Sequence, residues 1–285
     1  MNDRTYVVVD ANYLCHRNFH AFKNTMSGEM LDGTVYGFLR DIIQLKDELL
    51  ADRMVLCFDT SNLLRAKSYP NYKLSRKEKK EELSEEERND YQGMYQGIEK
   101  LQSKILPYLG YQNILYRQGY EADDMIAKVI QWGLQNDPKA HYHIVSSDTD
   151  LYQLLRRNVT IYKPGKGTYT INSLLDEFNV TPDQYIRAKA IAGDTSDNVQ
   201  GVSGVGVITA IKYLRGELKP GSTKHTAIEK ADKVIRRNIE LMVLPFEGTP
   251  DVEVICDDEF DRVKWKKALN KLGMVSLLKE LPHGD

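Results

Sequence analysis

The sequence predicts an α/β fold with a mainly parallel central sheet, because short apolar runs alternate with helical patterns in its N-terminal half. The apolar runs have the length and composition of buried parallel strands and occupy residues 6–10, 54–59, 141–148 and, more weakly, 113–116. Helical periodicity appears between them, at residues 35–50 and 123–134. Ligands of such open sheets bind outside the carboxyl ends of the strands, so the residues at those ends are the first candidates for a functional site.

The chain has 285 residues, enough for one large domain or for a core domain with a smaller appendage. Its 41% hydrophobic and 28% charged residues are ordinary for a soluble globular protein. No apolar run approaches the roughly 20 residues that span a membrane, and no signal peptide precedes the first strand-like run. The cysteines are odd in number and form no CxxC pair, which argues against a disulfide framework or a zinc site and fits a cytoplasmic protein.

Charge is distributed unevenly along the chain, although the net charge of −2 by itself argues weakly against a nucleic-acid binder. Residues 65–80 carry seven basic side chains and one acid, and residues 81–90 then carry six acids and one base. Both stretches belong to a long insert between two strands, at about residues 65–110. Ser84 and Glu87 form a capping-box pattern for a helix with an apolar stripe, whereas the basic stretch has no stripe and is predicted to be exposed.

The C-terminal part of the chain is predicted to be helical, with glycines marking the turns. Thr181 and Pro182 open one helix, as its N-cap and its first residue, and the glycine-rich segment 201–206 forms a tight turn before the next helix. We therefore divide the chain into a core at 1–180, which includes the insert, and a helical region at 181–285.

Nine carboxylates stand at positions that suit a common site. Three of them, Asp10, Asp59 and Asp148, end strand-like runs, and because the carboxyl ends of parallel strands share one edge of a sheet, we expect these three in one crevice. The others lie in the segments EADD, SSDTD and GDTSDN. The full set is Asp10, Asp59, Glu121, Asp123, Asp124, Asp148, Asp150, Asp194 and Asp197. Taken singly, each has a plain alternative as a helix cap or a turn residue.

Gathered in one crevice, these carboxylates would repel one another, and some would take up protons unless cations neutralise them. Sites built only from oxygen ligands select hard ions such as Mg²⁺, Mn²⁺ or Ca²⁺. Two such ions roughly 4 Å apart stabilise both the attacking and the leaving oxygen of phosphoryl transfer. The cluster therefore predicts a two-metal site suited to that chemistry.

The order of these motifs resembles the flap endonuclease and 5′→3′ exonuclease family, whose members include phage enzymes and the 5′-nuclease domain of bacterial DNA polymerase I. The resemblance covers about residues 5–245 and rests on Asp10, FD at 58–59, EADD at 121–124, SSDTD at 146–150, GDTSDN at 193–198 and GVSGVG at 201–206. It implies a PIN-like core, a helical arch formed by the insert, and a helix–three-turn–helix at the glycine turn.

The resemblance also implies two sites for Mg²⁺, with Mn²⁺ as a substitute. The first site would consist of Asp10, Asp59, Glu121, Asp123 and Asp124. The second would consist of Asp148, Asp150, Asp194 and Asp197. No member of the family's carboxylate set is missing from this chain.

DNA contacts in and around the arch follow from the same comparison. In the YKxxR element at 72–76, Lys73 and Arg76 would contact the scissile phosphate, and Tyr72 would stack on a base. Arg17 and Arg65 would be further phosphate contacts.

At the helix–three-turn–helix, Gly204, Gly206 and Lys212 would hold duplex phosphates, in a turn that in relatives also holds a K⁺ ion. This turn departs from the family pattern at Gln200, Ser203, Val207 and Ile208.

The resemblance implies a monomeric nuclease that hydrolyses DNA at 5′ flaps and 5′ ends, and RNA in RNA–DNA hybrids, alongside replication proteins in primer and flap removal. Two alternatives stay open. One is a PIN-type ribonuclease acting on single-stranded RNA, which would need fewer carboxylates and no duplex-binding turn. The other is a non-catalytic binder of branched DNA, in which the acids hold a structural cation.

Overall fold

The computed structural model describes residues 3–22, 30–255 and 260–281, and its centre is a six-stranded sheet. The strands are β1 (Thr5–Asp10), β2 (Arg53–Cys57), β3 (Ile114–Leu115), β4 (His141–Val145), β5 (Val159–Lys163) and β6 (Gly167–Tyr169). Their order across the sheet is β3-β2-β1-β4-β5-β6, and all neighbours are parallel except β5 and β6. The predicted α/β class with a mainly parallel sheet is confirmed.

Helices lie before, between and after these strands. They are α1 (Ala11–Phe22), α2 (Met30–Glu48), α3 (Leu64–Ser68), α4 (Leu74–Glu81), α5 (Glu85–Lys100), α6 (Leu106–Tyr108), α7 (Ala122–Asn136), α8 (Ile171–Phe178), α9 (Pro182–Ala192), α10 (Val207–Leu214), α11 (Thr223–Glu229), α12 (Asp232–Met242) and α13 (Arg262–Lys271). A short hairpin of β7 (Gly193–Asp194) and β8 (Val199–Gln200) follows α9. Among the helices that the structure describes, none is long and apolar enough to cross a membrane.

Both faces of the sheet are covered, which explains why its strands are continuous apolar runs. In β1, Tyr6 and Val8 pack in one buried cluster, to which α7 contributes, while Val7 and Val9 pack in another with α1 and α2. Alternate side chains of a strand point to opposite faces, so a strand covered on both faces needs an apolar side chain at every position.

The insert between β2 and β3 forms α3 to α6 and divides into an exposed part and a packed part. α4 buries none of its side chains, as its missing apolar stripe predicts. α5 begins at the predicted capping box, in which the Glu87 amide donates to Ser84 Oγ at 3.2 Å and the Ser84 amide donates to the Glu87 carboxylate at 3.0 Å. Met94 and Ile98 bury one face of α5 against the cluster shared with α1 and α2.

The hairpin of β7 and β8 lies against the glycine turn 201–206 at backbone-to-backbone distance. A Cβ on Gly201 would lie 2.1 Å from the backbone of Ala192, and a Cβ on Gly193 would lie 2.3 Å from the Gly201 amide nitrogen. Glycine at both positions therefore holds the turn against the hairpin that carries the GDTSDN carboxylates. α9, which leads into this hairpin, begins with Thr181 as N-cap, as predicted.

Several boundaries differ from the sequence prediction. β2 ends at Cys57 and β4 at Val145, so only Asp10 is the last residue of its strand, and Asp59 and Asp148 lie in the loops that follow. The helices predicted at 35–50 and 123–134 extend over Met30–Glu48 and Ala122–Asn136. β5, β6 and α8 have no predicted counterpart, because short segments give weak periodicity.

The cysteines that the structure describes carry no disulfide. Cys15 and Cys57 are buried free thiols, and burial raises the pKa of each well above its ordinary value. Cys256 lies outside the described residues.

Candidate metal centre and nucleic-acid interface

Four of the nine carboxylates meet at the carboxyl edge of the sheet. Asp10 ends β1, Asp59 and Asp148 follow β2 and β4, and Asp123 lies in the first turn of α7. Burial, and then the charge of Asp59, raise the pKa of Asp10 to about 7. Burial raises the pKa of Asp123 well above its usual range, and the charges of Asp148 and Asp10 raise it further. Carboxyl groups that raise one another's pKa lie close together, in surroundings that favour a neutralising cation.

Hydrogen bonds orient these carboxylates. The Tyr13 amide donates to Asp10 Oδ1 at 2.9 Å, and the Ser146 hydroxyl donates to Asp10 Oδ2 at 3.0 Å. The Ala122 amide, at the start of α7, donates to Asp59 Oδ1 at 2.8 Å. Each carboxylate oxygen has a second lone pair for another partner. These hydrogen bonds therefore fix the direction of the Asp10 and Asp59 side chains without using up their capacity to bind.

A second group of carboxylates surrounds Lys189, which projects from α9. Its ammonium contacts Asp150 and lies 3.0 Å from an Asp194 oxygen. Burial raises the pKa of Asp150 to about 6, and the Lys189 charge offsets only part of that effect. Burial acts on Asp194 in the same direction, but hydrogen bonding from Ser196 and the Lys189 charge outweigh it and lower its pKa to about 2. Lys189 is thus a buried cation between two predicted metal ligands.

Sequence reasoning missed Lys189. The sequence feature that points to Lys189 is its position five residues before Asp194, near the end of a helix that leads into the acidic hairpin.

The basic start of α4 reaches the same edge of the sheet. The Lys73 ammonium contacts the Glu121 carboxylate and lies 3.6 Å from Asp197, and Arg76 donates to Asp197 at 2.6 Å. Lys73 has a left-handed backbone with φ +55°, which is uncommon outside glycine, and its amide donates to the Asp197 carbonyl at 2.9 Å. The structure therefore brings both predicted phosphate-binding cations to the carboxylates.

Two other predicted site residues, Arg65 and Asp124, are paired with each other in the interior. Arg65 is 3% exposed and Asp124 is 0% exposed. The guanidinium donates to the two Asp124 oxygens at 2.6 and 2.7 Å, to Glu121 at 3.1 Å and to the Leu241 carbonyl at 2.8 Å. In this arrangement the Arg65 guanidinium binds groups of the protein, and both Asp124 oxygens accept hydrogen bonds from it; the DNA contact of Arg65 and the metal ligation by Asp124 stay predictions.

Tyr72 is also buried, with its hydroxyl 2.8 Å from a Glu121 oxygen and 3.1 Å from an Asp197 oxygen. Its ring belongs to a small apolar cluster with α9 and α12, and the stacking of Tyr72 on a base stays a prediction. Arg17 pairs with Asp41 at 2.8 Å, and its side chain keeps 37% of its surface exposed.

The glycine turn forms one wall of a cavity of about 670 Å³ beside the acidic hairpin. Gly204 has φ +71°, and Gly206 is the N-cap of α10. A Cβ at either position would meet no atom within 4 Å, so this backbone borders open space where a phosphate can approach. Lys212 is exposed on α10, and Ile208, one of the departures from the family pattern, is 56% exposed.

The carboxylates fit a hard divalent cation by their chemistry. They form an all-oxygen donor set, and burial together with neighbouring carboxylate charges raises the pKa of Asp10, Asp123 and Asp150. Within residues 3–22, 30–255 and 260–281, no three His, Cys, Asp or Glu side chains are grouped tightly enough to hold an ion as they stand. Basic side chains from α4 and α9 neutralise part of the cluster in this arrangement.

Fold and site together define an α/β protein with an acidic centre at the carboxyl edge of its sheet and a basic helical insert beside it, an arrangement suited to phosphodiester chemistry. The family described as 5′-3′ exonuclease, N-terminal resolvase-like domain, matches residues 5–182. The 5′-3′ exonuclease of Mycoplasmopsis pulmonis is 30% identical over 285 residues, which cover 97% of this chain and 82% of that protein. The chain therefore belongs to the 5′-3′ exonuclease family.

Longer relatives contain the same region as one part of their length. DNA polymerase I of Mycobacterium tuberculosis is 28% identical over 272 residues, and that of Thermus thermophilus is 27% identical over 289 residues. The match covers 28% of the first polymerase and 33% of the second, so the chain spans about a third or less of their length.

Solved structures of bacteriophage T5 proteins share the fold. The T5 5′-exonuclease with bound zinc superposes with a TM-score of 0.72 at 21% identity and covers 97% of this chain and 99% of that one. The T5 flap endonuclease in complex with DNA and metal ions gives the same TM-score at 22% identity, with the same coverage. The PIN-like arrangement of a parallel sheet with flanking helices is thereby confirmed.

Proposed function

We propose that the protein is a structure-specific 5′ nuclease that hydrolyses phosphodiesters of DNA at 5′ flaps and 5′ ends with two Mg²⁺ ions. Membership of the 5′-3′ exonuclease family supports the reaction. The observation that carries the proposal is the meeting of mutually repelling carboxylates with Lys73 and Arg76, at the start of α4, at one edge of the sheet. Such an edge has ligands for metal ions and, directly beside them, cations for a phosphate.

We assign one ion to the carboxylates nearest β1 and β2, and the other to those that follow β4 and α9. The first set is Asp10, Asp59, Glu121 and Asp123, and the second is Asp148, Asp150, Asp194 and Asp197. The sequence also predicts Asp124 in the first set, and in the structure both of its oxygens accept hydrogen bonds from Arg65. Two bound divalent ions would stabilise charge on the attacking and leaving oxygens, and Mn²⁺ would substitute because it shares the preference for oxygen ligands.

Lys73 and Arg76 would bind the scissile phosphate after leaving Glu121 and Asp197. Burial opposes the charge on Lys73, but the two carboxylates raise its pKa above the ordinary value, so its ammonium is charged. Cations fixed in a partly buried site stabilise the negative charge that develops on phosphoryl oxygens. Binding of metal ions to the carboxylates would release these two side chains toward the substrate.

DNA is the expected partner, and the T5 relative of similar fold has been solved with DNA and metal ions. The backbone at Gly204 and Gly206, with Lys212 one turn into α10, would hold duplex phosphates, with K⁺ as a further ligand of the turn. Recognition would rest on shape and backbone, so binding should weaken steeply with salt. RNA–DNA hybrids and replication proteins are further proposed partners. We also propose that the protein acts as a monomer.

Cleavage of a 5′-labelled flap duplex in Mg²⁺ tests the proposal. Wild type should release the flap near the junction, Asp148→Asn should lose a metal ligand and most activity, and Lys73→Ala should lose activity while still binding metal. Chelation of the metal should stop the reaction. Efficient cleavage with the metal chelated would refute the mechanism.

The same assay separates the two alternatives. A flap that is bound but left intact in both Mg²⁺ and Mn²⁺ would indicate a non-catalytic binder of branched DNA. Faster cleavage of single-stranded RNA than of the flap would indicate a PIN-type ribonuclease.

A further inference from the structure

Gln153 is a buried amide side chain next to the second set of carboxylates. It lies three residues after Asp150 in a short 3-10 helix, Asp150–Leu154, and it is 6% exposed. Its Nε2 donates to the Asp150 carbonyl at 2.8 Å and to the Met242 carbonyl at 3.0 Å. Its Oε1 accepts from the Leu244 amide at 2.8 Å. Both hydrogens of the amide nitrogen are therefore used, and the three bonds fix the orientation of the side chain.

The Asp150 backbone that Gln153 holds also orients Asp148. The Asp150 amide donates to Asp148 Oδ1 at 2.8 Å, so a shift of this backbone would displace the carboxylates of both residues. The Asp150 side chain itself contacts the Lys189 ammonium. Two of the carboxylates that we assign to the second ion therefore depend on the backbone of one residue, whose carbonyl accepts from Gln153.

Residues 241–246, at the end of α12 and directly after it, supply the other two partners of Gln153. The same segment is anchored beside the first set of carboxylates. Its Leu241 carbonyl accepts from Arg65 Nε at 2.8 Å, and the Arg65 guanidinium donates to Glu121 at 3.1 Å. Gln153 therefore connects the second set, through hydrogen bonds, to a segment that is bound next to the first.

The 241–246 segment also forms a wall beside both sets of carboxylates. A cavity of about 20 Å³ separates its Leu241, Met242 and Leu244 from acids of the two sets. Those acids are Glu121, Asp123, Asp150 and Asp197. A cavity of this size has room for about one water molecule, so the segment limits how far either set can move toward it.

We propose that Gln153 is a positioning residue for the second metal ion. By tying the Asp150 backbone to the 241–246 segment, it fixes the Asp148 and Asp150 carboxylates relative to the first set, as a pair of ions requires. The inference rests on the proposed function, from which it takes the two sets of metal ligands. Removal of a group that holds a metal ligand without touching the ion commonly lowers metal affinity about 10- to 100-fold.

Mn²⁺ binding without DNA, followed through the electron paramagnetic resonance signal of the free ion, tests this role. Wild type should show two classes of site, and Asp194→Asn, which removes a ligand of the second set, identifies one of them. Gln153→Met keeps the length of the side chain but removes its hydrogen bonds. It should weaken that same class about 10- to 100-fold and leave the other class as in wild type. Gln153→Asn, whose amide is one methylene short, should cause a smaller loss in the same class and decides the question if Gln153→Met does not fold.

Asn113 offers a matched control, because it is another buried amide that exchanges hydrogen bonds with the backbone of a C-terminal segment. Its Nδ2 donates to the Ile255 carbonyl at 2.9 Å, and its Oδ1 accepts from the Ile255 amide at 2.7 Å. These bonds go to Ile255 and not to a residue of either metal set. Asn113→Leu should therefore lower the free energy of unfolding, as Gln153→Met does, but leave both classes of Mn²⁺ site unchanged.

Unchanged Mn²⁺ affinities in folded Gln153→Met, or an equal loss in both classes of site, would overturn the role of Gln153. Flap cleavage by wild type separates this result from a failure of the proposed function. If wild type cleaves the flap and Gln153→Met keeps both affinities, only the positioning role is wrong. If wild type binds two Mn²⁺ ions but leaves the flap intact, the nuclease proposal is wrong, and the Mn²⁺ comparison still decides what Gln153 does.

Discussion

Replacement of Arg65 by methionine is expected to lower the free energy of unfolding by about 3–5 kcal/mol, the usual effect of removing one partner from a buried ion pair. The Arg65 side chain is 4% exposed and that of Asp124 is fully buried, so the substitution leaves an anion in the interior without its counterion. Three hydrogen bonds to carboxylates and one to the Leu241 carbonyl are lost at the same time. A cation–π contact with Phe246, with the guanidinium 4.6 Å from the ring centroid, is lost as well.

Urea unfolding followed by circular dichroism measures this change. Arg65→Lys is the matched control, because lysine keeps the charge but cannot make the bidentate contact with Asp124. This variant should recover only part of the lost unfolding free energy. Combining Arg65→Met with Asp124→Leu removes both charges and should be more stable than Arg65→Met alone. The burial argument is refuted if Arg65→Met unfolds within about 1 kcal/mol of wild type. An accompanying drop in DNA affinity would then support the DNA contact predicted for Arg65 from sequence.

Three further predictions concern the metal centre and the turn beside it. Gly201→Ala should destabilise the protein by about 1–3 kcal/mol in urea unfolding, because its Cβ would lie 2.1 Å from the Ala192 backbone; Gly206→Ala, where the space is open and φ is −90°, should cost less. In metal-free protein, stability should fall as pH rises from 3.8 toward 7, since Asp10 binds its proton more tightly when folded, and Asp10→Asn should flatten this part of the pH profile. Mg²⁺ at about 100 times its dissociation constant should stabilise wild type by about 2.7 kcal/mol in the same assay; an equal gain in Asp148→Ala would contradict the assigned ligands.

Much of the fold was predictable from sequence because its signals are local or strongly periodic. β1, β2 and β4 are covered on both faces, so they must be apolar along their length and stand out from their surroundings. The capping box at Ser84 and Glu87 and the N-cap at Thr181 depend on groups within three residues of each other, so the sequence contains all that is needed to find them. The order of the acidic motifs identified the family for a similar reason, since motif spacing is a property of the chain itself.

Only the tertiary structure decided which charged side chains neutralise one another. Arg65 is 59 residues from Asp124, and Lys189 is 39 residues from Asp150. No local sequence pattern therefore indicates that either pair forms. Motif matching treats Arg65 as a DNA contact and Asp124 as a metal ligand, and it gives no role to Lys189. The free energy of a charged group depends on its desolvation and on the geometry of its partner, and both exist only once distant segments are packed together.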